Sequence, residues 1–164
     1  MVGGIPAAEW SAFLGRNAGR YLRKFARFSA GGVDSYALTI NWAAAFVPFW
    51  WALYRKLYLW AVVFLVVPFV PYGNMVLWLL TPLVANYILY SEAKKRILAV
   101  KAANPSRDVT GLLVEAGGVH GWVPIVAVIC SGGFVVLVVA LGLLGVLFDL
   151  LNAFGAPHGV LQPV

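Results

Sequence analysis

Charge is the first thing this sequence is short of. Lys, Arg, Asp and Glu make up 11% of its 164 residues and hydrophobic residues 62%, whereas a soluble domain is about half apolar and about a quarter charged. With a mean hydropathy of +0.87, the chain has too little polar surface to stay soluble alone, and an integral membrane protein is expected. Cysteine is all but missing. The single Cys130, set in an apolar run, excludes a disulfide within the chain and a cysteine-built metal site. Acidic residues number six against twelve Lys and Arg, a net charge of +6. In so apolar a chain that excess bears on topology and anionic lipid first, and no nucleic-acid partner is expected. The first fifteen residues hold no cation, so no cleavable signal peptide is expected.

What is present reads as helix, and the expected fold class is an all-α integral membrane protein. Residues 1–32 carry one amphipathic helix over Pro6–Ser29, closed by Gly31-Gly32. Leu14, Ala18, Tyr21, Phe25 and Phe28 recur at helical spacing, and Arg16, Arg20, Arg23 and Arg27 recur opposite them. With Lys24, these cations suit a helix lying in the headgroup plane, where each adds about 1 kcal/mol near an anionic surface. The other reading is an ordinary half-buried helix packed on the rest of the protein.

Residues 33–56 hold a connector and an aromatic segment, NWAAAFVPFWWALYRKLY, running on to Tyr58. Asn41 is a good N-cap, and Pro48 should kink or end the first turns. An unbroken helix from Trp42 to Val70 would be about 43 Å long and would place Arg55 and Lys56 near the bilayer centre, at roughly 2.5–3.5 kcal/mol each. A break near Tyr54–Tyr58 avoids that, so Trp42–Tyr54 reads as interfacial or re-entrant.

Residues 57–104 form a hairpin around the turn-like PYGN, with arms of about 21 and 24 Å against a hydrocarbon core of about 30 Å. It either crosses a thinned bilayer or dips in without crossing. Its second arm should run on as a cytoplasmic helix to Ala103, with Glu92 and Arg96 paired, until Asn104-Pro105 stops it. A short amphipathic helix is expected within 105–121, over Ser106–Gly117. Residues 122–149 are the strongest span: Trp122–Phe148 contains no charge, and Ser131, Gly132 and Gly133 mark a flex point or helix contact. The tail, 150–164, is short and nearly uncharged. Every cation lies between Arg16 and Arg107, so the N-terminus is expected in the cytoplasm and the C-terminus outside.

The segments GRNAGRYLRKF, NWAAAFVPFWWALYRKLY and LVANYILYSEAKKRI resemble a family of small bacterial inner-membrane proteins, catalogued as domain-of-unknown-function family twenty-six twenty-eight. Gly15, Asn17, Tyr21, Lys24 and Phe25 match its first motif. Asn41, Trp42, Pro48, Trp51, Tyr54, Arg55 and Lys56 match the second, and Ala85, Asn86, Tyr90, Gly117 and Gly118 the third. The resemblance spans about residues 11–120, with Ile40 standing where the family often has an aromatic. It implies a bacterial inner-membrane location and this architecture, and no activity.

No catalytic residues, metal site or cofactor are expected. His120 and His158 fall on opposite sides of the expected membrane and cannot share one haem or zinc; Ser131 has no base in reach. Glu92, Asp108 and Glu115 are solvated beside cations. Asn86 within a span needs partners, on another helix or another chain, or else locally caps the distortion at Pro82. Arg55 and Lys56 are either a positive-inside anchor or, with Lys94 and Lys95 and with Trp50 and Tyr54 as a wall, a site for an anionic lipid headgroup. The functional expectation is a non-catalytic accessory or assembly subunit, or a homo-oligomer, packing through Asn86, Gly132 and Gly133 against other spans. An anionic-lipid-binding or bilayer-remodelling protein is the alternative, and a channel or transporter component is weaker because the spans lack polar lining.

Overall fold

A tight turn at Val2–Ile5 opens the chain, and the Trp10 indole N–H reaches back to the Val2 carbonyl at 3.0 Å. The structure, a computed structural model, describes residues 1–105 and 107–155; Ser106 and the tail from 156 on, with His158, lie outside the described residues. Those described are all-helical, with no strand among them. They fall into two units, one up to Pro124 and one from Ile125.

The single amphipathic helix expected over Pro6–Ser29 is two helices. α1 (Ala7–Leu14) ends at Gly15, and a 3-10 turn over Gly15–Asn17 leads into α2 (Ala18–Phe28). Gly15 has φ +68°, a conformation glycine takes without a Cβ penalty. The aromatic stripe lies inside protein: Trp10, Phe25 and Phe28 are fully buried and pack around Tyr90. The surface-helix reading is therefore corrected to the half-buried one. Protein aromatics cover the face assigned to lipid, while Arg16, Arg20, Arg23 and Arg27 stay exposed and Lys24 is half-buried.

Asn41 caps α3 (Trp42–Phe46), its Oδ1 accepting the Ala44 N–H at 3.3 Å. Pro48 then opens a separate helix, α4 (Pro48–Tyr54), because a proline ring suits a first turn and not a helix interior. The chain turns through Arg55 and Lys56, the latter at φ +58°, into α5 (Tyr58–Val66) and a 3-10 turn over Val67–Phe69. The break expected between Tyr54 and Tyr58 is there. α6 (Gly73–Ala103) follows; a Cβ on Gly73 would run into the Val67 carbonyl, so only glycine closes this corner. α3 packs on α6 and α4 on α5.

α6 runs unbroken past Tyr90 to Asn104, whose amide donates to the Val100 carbonyl at 3.0 Å. The expected Glu92–Arg96 pair is not formed. Glu92 pairs with Lys95 at 3.1 Å, and Arg96 donates instead to the Lys56 carbonyl at 2.9 Å, because that carbonyl at the α4–α5 corner lies within its reach. α7 is shorter than expected (Thr110–Ala116), its start set by Asp108, which accepts from the Thr110 N–H and hydroxyl. Its end abuts α1: the Gly118 N–H donates to the Phe13 carbonyl at 2.7 Å, and a Cβ on Gly117 would collide with that carbonyl.

The described residues of the second unit form one helix, the greater part of α8 (Val123–Gly155). Ser131, Gly132 and Gly133 do not interrupt it. A lone helix has nothing of its own to pack against, and its side chains from Val128 to Phe154 are exposed. α6 and α8 are both long and apolar enough to cross a membrane.

Candidate functional site

Two short helices bring one face each to a shared cavity. Val47, at the N-terminal cap of α4, and Trp50, Trp51 and Tyr54 on it recur at spacings of three, one and three, which is a single helical face. Asn17, Arg20 and Tyr21 form the matching face at the start of α2. Between them lies a cavity of about 270 Å³, closed on a third side by Val123 and Pro124. Ligand pockets for drug-sized molecules run from about 300 to 1,000 Å³, so this one has room for a headgroup and not for a whole lipid.

Arg55 enters from the end of α4. It is 6% exposed, with its guanidinium carbon 4.4 Å from the Tyr21 ring centre and 5.6 Å from that of Tyr54. Stacking over aromatic faces returns up to about 2 kcal/mol to a desolvated cation. Full desolvation of an ion without a counter-charge costs on the order of several kcal/mol. Arg55 Nε has no protein acceptor, and neither does the indole N–H of Trp51, which is 4% exposed. The cavity lining holds two arginines and no carboxylate. Its lining is thus rich in cationic and N–H groups, and two of these N–H groups, buried behind the cavity surface, have no acceptor.

Of the six residues expected to hold a lipid headgroup, the structure brings three together: Arg55, Trp50 and Tyr54. The others are engaged elsewhere. Lys56 reaches the Glu115 carbonyl at 3.4 Å, Lys94 pairs with Asp34 at 2.6 Å, and Lys95 pairs with Glu92. The other lining residues fall outside the six expected from the sequence. There, Arg20 and Tyr21 belong to the opposed basic and apolar stripes of the amphipathic helix, while Asn17 and Trp51 stand only as motif positions. The i, i+3, i+4 spacing of Asn17, Arg20 and Tyr21 was visible in the sequence; that it faces α4 was not. Arg20 also borders a second, basic hollow of about 360 Å³ with Arg23, Lys24 and Arg27. Burial draws the Lys24 ammonium below its ordinary value; nearby Tyr21 works against this and the Arg20 charge adds to it.

The other polar groups are satisfied within the chain. Asn86, wholly buried, accepts from the Asn41 amide at 3.1 Å and donates to the Thr39 hydroxyl at 3.1 Å. It ties α6 to the connector, and the Pro82 carbonyl is met by the Asn41 backbone N–H at 2.8 Å. Gly132 and Gly133 have nothing within 4 Å of where a Cβ would stand. Asp34 accepts from the Tyr90 hydroxyl and from Lys94, both at 2.6 Å; these bonds outweigh partial burial and hold its carboxyl below the ordinary range. His120 shares a hydrogen bond of 2.6 Å with the Tyr58 hydroxyl. Among the described residues no three His, Cys, Asp or Glu side chains come together as metal ligands would. Comparison with protein-family models, curated proteins and solved structures returned no match.

Proposed function

We propose that this chain is a non-catalytic protein of the bacterial inner membrane that works by association, as an accessory or assembly subunit of a larger membrane complex or as a homo-oligomer. The observation that carries this is the exposure of α8 from Val128 to Phe154. At about 1.5 Å per residue these 27 residues span about 40 Å, more than the roughly 30 Å of hydrocarbon. An apolar helix exposed along its length needs lipid or another protein around it. α8 crosses the bilayer once, with the residues before it on the cytoplasmic side, where all twelve cations of the sequence lie.

The hairpin reads best as dipping into the cytoplasmic leaflet. Its exposed apolar side chains run along α5 and round the turn, on Leu59, Val62, Leu65, Phe69, Met75 and Trp78, while α6 from Thr81 onward turns largely into the core. The exposed part of α6, residues 74–80, is about 10 Å long, well short of a crossing.

The test is the native state of the tagged full-length protein after gentle solubilisation, read by native mass spectrometry. A reproducible oligomer or a stoichiometric membrane partner is expected. A lone monomer with nothing co-purifying contradicts the association role. The anionic-lipid reading is supported by a different observation, the unpartnered donors around Arg55.

A further inference from the structure

We infer that the cavity between α2 and α4 is a binding site for a phosphoryl oxyanion, of the kind carried by an anionic membrane phospholipid. Arg55 and Trp51 both line the cavity, and the Arg55 Nε and Trp51 Nε1 donors are buried without a protein partner. Arg20 and Asn17 add further donors from the opposite wall, and no carboxylate is present to take any of them. A buried guanidinium left without a counter-charge is costly, and an incoming anion removes that cost by supplying charge and acceptors together.

The arrangement of donors selects the anion. They approach from two facing helices, so the acceptor must present oxygens in more than one direction, which a tetrahedral phosphoryl group does and a planar carboxylate does less well. The arginine fork suits phosphate oxygens in particular. The remaining wall, Trp50, Tyr54 and Val47, is aromatic and aliphatic, which suits the glycerol and upper acyl region of a lipid and gives a free phosphate nothing to touch.

The inference does not depend on how the chain sits in a bilayer, because it is tested in detergent. The full-length protein in a non-ionic detergent is titrated with dihexanoyl phosphatidylglycerol, inorganic phosphate and acetate, following tryptophan emission, since Trp50 and Trp51 line the cavity. Saturable binding of the lipid is expected, with acetate failing to compete. Arg55→Ala should weaken it about tenfold or more, as for a lost charge-assisted hydrogen bond. Two further variants guard against misfolding. Arg20→Ala alters an exposed side chain and Trp51→Phe keeps the ring packing while removing the donor; each should weaken binding several-fold with unfolding temperature unchanged. Arg107→Ala, remote from the cavity, should bind as wild type. If inorganic phosphate binds as tightly as the lipid, with the same dependence on Arg20, Trp51 and Arg55, the oxyanion site stands and its source is a soluble phosphate. The inference is overturned if neither phosphoryl ligand shows binding that depends on these residues, or if acetate competes equally.

Discussion

Asn86 shows what a single side chain contributes here. Its amide is shared between Asn41 and Thr39, two residues about 45 positions earlier in the chain, and all three are buried. Removing it strands one donor and one acceptor away from water, at roughly 1–3 kcal/mol for each unsatisfied group. Asn86→Ala should therefore lower the apparent unfolding temperature in detergent by several degrees, and an unchanged transition would mean the network carries no stability. The sequence marks Asn86 as a polar group needing partners on another helix, on another chain or at Pro82; the structure pairs it with the connector. Its partners were illegible, because they come from the connector, whose course no periodicity reveals. Arg55 taught the same lesson. Trp51 precedes it by four residues and shares its face by helical spacing, whereas Asn17, Arg20 and Tyr21 meet it only around the cavity.

At the scale of elements, most helix boundaries were readable because a specific residue enforces each one. Asn41 caps α3, Pro48 opens α4, and Asn104 stops α6. The break at Gly15 was not read, since a glycine within a periodic run is often tolerated and only its positive φ makes it a stop. The larger misreading was the partner of the aromatic stripe. Periodicity says that α1 and α2 have an apolar face, but lipid and a protein core satisfy such a face equally well. What settles the matter is Tyr90, stacked on Trp10 at 5.6 Å and edge-on to Phe25 at 5.2 Å. The docking of α7 on α1 rests on Gly117. Gly117→Ala would drive a methyl into the Phe13 carbonyl and should destabilise by about 1–3 kcal/mol, as overpacking does. Gly121→Ala, four residues on and with nothing within 4 Å, should be neutral in the same thermal measurement. Equal effects for the two would show that α7 does not dock this way.

Over the whole molecule, composition alone pointed to a membrane protein, and the two units explain how so apolar a chain still has a core. The unit before Ile125 buries an aromatic core around Trp10, Phe25, Phe28 and Tyr90 and leaves apolar surface along α5 and the first turns of α6. The helix after Pro124 buries nothing within itself. All the cations precede the last helix, which is the basis of the proposed orientation; the cavity is not legible in the sequence, because it exists only where α2, α4 and the first residues of α8 meet. The claim that most depends on this picture is that α8 lies in lipid, and Cys130, the only cysteine of the sequence and exposed on α8, is a built-in probe of it. It stands about 10 Å along the helix from Val123. A water-soluble maleimide needs thiolate and water at the sulfur, and hydrocarbon excludes both. In unsealed membranes, where both faces are open to reagent, Cys130 should stay unlabelled until SDS is added and then react fully. Labelling as fast in intact membranes as in SDS would contradict the account.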